Sequence, residues 1–284
     1  MKNSNIQWCD HTFNPWIGCT KVSPGCANCY AERTGARLGV RWGNYPRRLT
    51  SVAYWRQPHT WNAAAERAKV PAKVFCASLA DWLDRSVPLE WLGDLLVAID
   101  NTPWIRWQLL TKRPENWAVA MTRFLTAPPG IPITPQMKRL ASHWLNGCPP
   151  PNVWVGTSVE NREMAELRIP QLAGIPASVR FLSMEPLLER TPLHSGLPLK
   201  KIHWVIVGGE SGTRARACLV EWIDDVVRRC KTNRIPVFVK QLGAAAFTVV
   251  DGSQLRALPL STDDKRGDPD EWPASLRVRE FPSV

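Results

Sequence analysis

The stretch Lys73–Ile99, KVFCASLADWLDRSVPLEWLGDLLVAI, contains the plan of the whole chain. Lys73 to Ala77 is a short apolar run with no polar alternation, the pattern of a strand buried on both faces. A polar turn follows at once. Pro88 then suits a first helical turn, after which Leu89, Leu92, Leu95, Leu96 and Ile99 recur at helical spacing. Strand, turn and helix in that order make one βα unit.

The same unit repeats in both directions. Upstream, Phe13 to Gly18 reads as a strand and Tyr30 to Leu38 as a helix, with cysteines between them. Downstream, Ile105 to Leu110 precedes a helix opening at Pro114, and Val153 to Thr157 precedes a helix over Arg162 to Leu172. Ser178 to Ser183 is a fifth strand, Ile202 to Val207 a sixth with a helix from Leu219 to Cys230, and Pro236 to Lys240 a seventh. These strands predict an α/β fold with a parallel sheet covered on both faces. About seven units in 284 residues fit a parallel (βα) barrel, complete or partial, better than an open doubly wound sheet. The barrel is expected over residues 1–250, with a proline-rich insertion at 126–151 holding one short helix near Met137 to Leu145. Residues 251–284 lack periodicity and read as an irregular tail packed on the barrel.

Hydrophobic residues at 44% and charged residues at 21% exclude a disordered or collagen-like chain. No apolar run approaches the roughly 18 residues of a membrane span. Met1 to Asp10 has no apolar signal core, so a reducing compartment is expected, and the eight cysteines need an explanation other than disulfides. The net charge of +11 points to a polyanionic partner such as nucleic acid.

The sharpest chemical feature is Cys19-x6-Cys26-x2-Cys29, between the first strand and its helix. A structural zinc wants four closed ligands, so Cys9 or His11 would have to complete such a site. A 4Fe-4S cluster held by three cysteines leaves one iron open for a small molecule. Both chemistries are compatible with the spacing.

In parallel barrels chemistry gathers at the C-terminal ends of the strands, and the cysteine loop follows the first strand. The other strand ends are polar directly after their apolar runs. They read Ser78-Leu79-Ala80-Asp81, Thr111-Lys112-Arg113, Ser158-Val159-Glu160-Asn161, Ser183-Met184-Glu185-Pro186, Gly208-Gly209-Glu210-Ser211 and Lys240-Gln241. Ser78, Asp81, Lys112, Ser158, Glu160, Glu185 and Glu210 are therefore the candidate ligand contacts on that rim. The Gly208-Gly209 pair lets a ligand approach the backbone, and Lys112 with Arg113 suits a carboxylate or phosphate. No Ser-His-Asp arrangement and no nucleotide-binding glycine signature is present.

Residues Ala31 to Arg56 hold six arginines, one acid and no lysine, interleaved with Trp42, Tyr45, Tyr54 and Trp55. Guanidinium groups for phosphates with aromatics for stacking suit single strands or exposed bases, which nominates Arg41, Trp42, Arg47, Arg48 and Arg56. A protein interface uses the same residue types.

Asn14-Pro15 followed by Gly18-Cys19-Thr20-Lys21-Val22-Ser23-Pro24-Gly25-Cys26-Ala27-Asn28-Cys29-Tyr30-Ala31-Glu32 resembles the opening of a phage and bacterial family of uncharacterised proteins with a three-cysteine motif. The resemblance continues through Leu110–Pro114, Val155–Asn161, Phe181–Leu187, Val207–Gly212, Asp268–Pro273 and Leu276–Arg279. It implies a radical-SAM-like protein of bacterial or phage-infected cytoplasm, with a partial (βα)6 barrel. Cys19, Cys26 and Cys29 would hold a 4Fe-4S cluster that binds S-adenosylmethionine, and an external electron donor would be required. The commonest radical-SAM pattern has a first cysteine gap of three residues; here it is six. Two other readings stand beside this one. One is a zinc-stapled, non-catalytic nucleic-acid-binding phage protein. The other is an iron-sulfur scaffold that works beside a partner protein.

Overall fold

The computed structural model describes residues 4–251, 254–259 and 263–283. Seven strands form one sheet: β1 (His11–Phe13), β2 (Ala72–Cys76), β3 (Ile105–Thr111), β4 (Val153–Ser158), β5 (Val179–Met184), β6 (Trp204–Gly208) and β7 (Val237–Gln241). They hydrogen-bond strictly in chain order, β1 to β7. An order that never reverses has no topological switch point, so the doubly wound alternative is excluded. The chain is a parallel, partial (βα) barrel. It has seven strands, one more than the six that the resemblance implied.

Among the described residues, seven helices of eight or more residues lie in five of the six crossovers: α1 (Tyr30–Arg37), α2 (Gln57–Ala68), α3 (Leu89–Asp100), α4 (Trp117–Leu125), α5 (Pro135–Leu145), α6 (Arg162–Ala173) and α7 (Val220–Thr232); the connection from β5 to β6 has only the 3-10 turn Leu199–Lys201. The chain divides into two compact units. One comprises Met1–Val22, Cys29–Gly156 and Gly174–Ser178, and the other Ser23–Asn28, Thr157–Ala173 and Val179–Val284.

In the first unit β1, β2 and β3 pair in parallel, with His11 opposite Val74 and Ala72 opposite Ile105. Phe13, Val74, Cys76, Ile105, Trp107 and Leu109 are fully buried and form the core of this unit's sheet. The short strand Trp16–Ile17 leaves β1 and pairs antiparallel with Arg48–Leu49, so the expected strand over residues 13–18 is two short ones. Helix α5 begins where Thr134 Oγ1 accepts the Met137 N–H at 3.2 Å. It buries Met137, Ala141 and Trp144, with Trp144 stacked on Trp82 at 5.9 Å. Four of the fifteen tryptophans, Trp16, Trp107, Trp144 and Trp204, have no exposed surface, so these serve packing.

In the second unit β5, β6 and β7 pair in parallel, with Phe181 opposite Trp204 and Val237 opposite Val205. Ala246–Val250 and Gln254–Ala257 form an antiparallel ribbon, and Ala246 also pairs with Cys218. The last residues run back along β7. Val239 N–H donates to Val278 O at 2.9 Å and Glu280 N–H to Val237 O at 3.0 Å. Phe281 packs against Trp204 at 5.3 Å and Phe238 at 5.4 Å.

Candidate three-cysteine site

The loop after β1 is fastened at its start by Asn14, which is buried. Asn14 Nδ2 donates to Ser78 Oγ at 3.1 Å, and Asn14 Oδ1 accepts the Leu79 N–H at 2.7 Å. Gly18 N–H donates to Leu79 O at 3.1 Å. The segment after β1 is thus tied to the turn after β2, and Cys19 follows directly.

Cys19 is half-buried in the first unit. Its Sγ accepts from Arg113 Nη1 at 3.5 Å, while Arg113 Nη2 donates to Thr20 O at 2.6 Å. Burial pushes the Cys19 thiol up to about 11; Asp81 adds to the rise and Arg113 opposes it. Arg113 itself is ion-paired to Asp81 at 2.8 Å, both side chains being almost wholly buried. Residues from the ends of β1, β2 and β3 therefore meet at one thiol. Cys29 takes the N-cap position of α1 without donating or accepting a side-chain capping bond.

Cys26 belongs to the second unit, where it ends a single 3-10 turn, Pro24–Cys26, with Ser23 Oγ 3.8 Å from its sulfur. Two strand-end carboxylates hold this turn. Glu160 Oε1 accepts the Gly25 N–H at 3.1 Å, and a Cβ on Gly25 would lie 2.9 Å from the Glu160 carboxyl, so a side chain there would have to displace that carboxylate. Glu160 is fully buried and its other oxygen pairs with Arg168 at 3.0 Å. Glu210 Oε2 accepts from Asn28 Nδ2 at 3.1 Å, and Glu210 Oε1 pairs with Arg216 Nη2 at 2.6 Å. Arg216 Nη1 in turn donates to Pro24 O at 2.8 Å.

Burial pushes the Glu210 carboxyl up, but hydrogen bonds from Arg216 and Asn28 outweigh it and hold the group below the ordinary carboxylate range. A carboxylate with a lowered folded-state pKa contributes stability above its unfolded pKa of about 4.3, and that stability disappears as pH falls through the folded value. Acidification through that window is expected to loosen residues 24–28, read as amide hydrogen exchange corrected for its intrinsic pH dependence. Glu210→Gln should abolish the acid-dependent part, and an identical profile in the variant would refute this role.

The remaining rim residues also have partners within the protein. Ser78 O accepts the Tyr30 hydroxyl at 3.0 Å, and Lys112 N–H donates to Asp81 Oδ2 at 2.9 Å. Ser158 is buried, with its carbonyl on Arg168 Nη1 at 2.9 Å. Glu185 pairs with Lys240 Nζ at 2.9 Å. The Gly208-Gly209 pair makes room for the chain's own backbone rather than for a ligand: a Cβ on Gly209 would stand 2.2 Å from Leu242 O, and Gly209 N–H donates to Gln241 O. Gly243, at φ +103°, completes that close approach.

In the basic segment the residues diverge. Arg41 and Arg56 are exposed, and Arg41 lies over the Tyr45 ring at 5.4 Å. Arg48 is exposed and donates to Leu38 O at 2.6 Å, while Trp42 packs on Gly35 of α1. Arg47 is buried instead. Its Nε and Nη2 grip Asp84, Nη1 donates to Gly43 O and Tyr45 O, and Nη2 also reaches Thr20 Oγ1. All five of its N–H groups are used inside the fold, leaving none for a phosphate.

Sequence reading missed Asn14, Asn28, Arg168 and Arg216, which hold the loop or the carboxylates that hold it. Their partners lie 64, 182, 8 and 6 residues away, so only Arg168 and Arg216 were near enough to suggest a pairing.

The free cysteines include Cys19, Cys26 and Cys29, and none of the described cysteines is in a disulfide. Among the described residues no three Cys, His, Asp or Glu side chains stand close enough to hold a metal ion. The chemistry of the donor set nevertheless fits an iron-sulfur cluster: three thiols in one loop, one beside a guanidinium that donates to its sulfur. Cys9, the candidate fourth zinc ligand, is buried with its thiol donating to Ile6 O at 3.6 Å. No helix among the described residues is long and apolar enough to cross a membrane.

Fold and loop together define a class: a parallel, partial (βα) barrel with a three-cysteine loop at the end of its first strand. The chain belongs to the family described as protein of unknown function (DUF5131), whose model matches residues 3–263. No curated protein matches it in sequence. Two solved structures are similar to it. One is a double mutant of spore photoproduct lyase with bound AdoMet and dinucleoside spore photoproduct, at 12% identity and TM-score 0.44, covering 73% of this chain and 57% of that one. The other is spore photoproduct lyase complexed with dinucleoside spore photoproduct, at 13% identity and TM-score 0.45, covering 74% of this chain and 58% of that one. The chain thus spans less than three fifths of the length of the lyase chains.

Proposed function

We propose that this chain is an iron-sulfur enzyme of the radical-SAM kind, with Cys19, Cys26 and Cys29 as the ligands of a 4Fe-4S cluster. The observation that carries the reading is the three-thiol loop that follows β1, in which Arg113, ion-paired to Asp81, donates to Cys19 Sγ at 3.5 Å. When bound and reduced by an external donor, such a cluster supplies the electron for one-electron cleavage of the S-adenosylmethionine sulfonium, the start of radical chemistry.

The chain's own residues divide the remaining work. Asp81, Glu160 and Glu210 neutralise arginines and hold the cysteine loop, so their carboxylates are positioning groups. Ser78 and Lys112, half-buried after β2 and β3, are assigned the binding and orienting of a small molecule. Exposed Arg41, Arg48 and Arg56, with Tyr45 beside Arg41, suit a nucleic-acid or nucleotide substrate through phosphate contacts and stacking.

The test is anaerobic purification and iron-sulfide reconstitution, followed by metal analysis and EPR of the reduced protein with and without S-adenosylmethionine. About four irons per chain and a signal that changes on adding S-adenosylmethionine are expected, with both lost in Cys26→Ala. Bound zinc and no reconstitutable iron would overturn the reading.

A further inference from the structure

We infer that Arg113 is the positioning residue for Cys19, fixing where the sulfur sits and setting the charge beside it. The inference rests on the iron-sulfur reading above and concerns a residue that sequence reading took for a carboxylate or phosphate binder. Arg113 follows β3 and its side chain is 8% exposed. Its partner Asp81 is held in turn. Asp81 Oδ1 accepts from Thr111 Oγ1 at 2.7 Å and Leu83 N–H at 3.0 Å, and Oδ2 accepts from Lys112 N–H at 2.9 Å.

A guanidinium is planar, so pinning Nη1 to a carboxylate that cannot move fixes the directions of its other N–H groups. One reaches Cys19 Sγ at 3.5 Å and two atoms further round Nη2 reaches Thr20 O at 2.6 Å. Sulfur and the next carbonyl are thereby set as a pair. An ordinary buried ion pair needs only the carboxylate; the two contacts to the cysteine loop are what remain unexplained by stability. Hydrogen bonds and charge at a cluster sulfur also set its reduction potential. Arg113 favours electron uptake, while Asp81 partly cancels it.

Opposite effects are therefore expected from the two halves of the pair. With iron content checked first, Arg113→Gln should make one-electron reduction of the cluster harder by about tenfold in equilibrium, a shift of 59 mV to more negative potential. Asp81→Asn should shift the potential in the opposite direction, and Arg113→Lys, which keeps charge without the fork, should fall between wild type and Arg113→Gln. A purely structural role would loosen the loop in both variants without this reversal of sign. A full cluster at the wild-type potential in Arg113→Gln overturns the inference and leaves the iron-sulfur reading intact.

A metal-free arm separates the two. Alkylation of Cys19 by iodoacetamide at one neutral pH, mapped by mass spectrometry, should be several-fold slower in Arg113→Gln and faster in Asp81→Asn. Loosening alone would speed both, and that result also overturns the inference. If wild-type protein takes up no iron, the iron-sulfur reading fails while this arm still decides whether Arg113 governs Cys19. Should Arg113→Gln not fold, Arg113→Lys and Asp81→Asn are compared with wild type, and shifts of the same sign refute the proposal.

Discussion

Glu160→Gln is expected to lower stability by about 3–5 kcal/mol, the cost of leaving one partner of a buried ion pair unmatched. Glu160 is 0% and Arg168 2% exposed, so water cannot compensate the stranded guanidinium. The substitution preserves shape and removes only charge, which separates this effect from a cavity. It also weakens the bond to the Gly25 N–H, and with it the hold on the turn carrying Cys26. At roughly 2–4 °C per kcal/mol for a chain of this order, the midpoint of thermal unfolding should fall by about 6–20 °C. Replacing both partners, Glu160→Leu with Arg168→Leu, should restore most of the loss, because well-packed apolar residues often equal a buried pair in stability. Urea unfolding of the three proteins checks this. A single variant within 1 kcal/mol of wild type, on the scale of an exposed pair, would show that the pair is not energetically buried.

The second large effect separates two adjacent arginines. Arg47→Ala should cost about 3–5 kcal/mol, since it abandons Asp84, whose side chain is 5% exposed. Arg48→Ala, at the surface, should change stability by less than about 0.5 kcal/mol. Under the nucleic-acid contact proposed for the exposed arginines, the order reverses on binding. Arg48→Ala should flatten the slope of log K against log salt by about 0.7 for a single strand, the loss of one phosphate contact. Arg47 has no N–H left to contribute, so folded Arg47→Ala protein should keep the wild-type slope. Binding titrations at several salt concentrations, made at a temperature where both variants are folded, read the difference. A reduced slope in Arg47→Ala with unchanged stability would place that guanidinium outside the fold.

The strands were legible because in six of the seven, β2 to β7, most side chains are buried. Strands β2 to β7 lie within two residues of where the apolar runs put them at either end. Helix α2 escaped notice. It buries only Pro58, Trp61 and Ala65, too sparse a stripe to stand out beside a conspicuously charged segment. Polar strand ends were visible too, since a polar residue after an apolar run is a local pattern. Their purpose was not. Whether Asp81 faces a ligand or Arg113 depends on a contact 32 residues away, and Arg47 and Asp84 are 37 apart. The same limit explains Gly208-Gly209: a bare backbone announces a close approach without naming what approaches, and here it is Gln241 to Gly243. Local chemistry reveals where the fold is exceptional, while partner identity is a property of the tertiary structure.

The backbone bonds between Val237–Val239 and Val278–Glu280 bear on how the molecule comes into being. A strand at the end of a sheet offers unpaired N–H and C=O groups to any other extended chain. During synthesis β7 is made some forty residues before the segment that covers it, an interval of roughly 2–8 s at 5–20 residues per second. For that time the nascent chain carries an open edge beside a nearly complete sheet. Arrival of Phe281 on Trp204 and Phe238 ends the exposure. Ribosome stalling or proteolytic clipping near residue 275 would thus leave a product with an intact three-cysteine loop and a sheet free to recruit its neighbours.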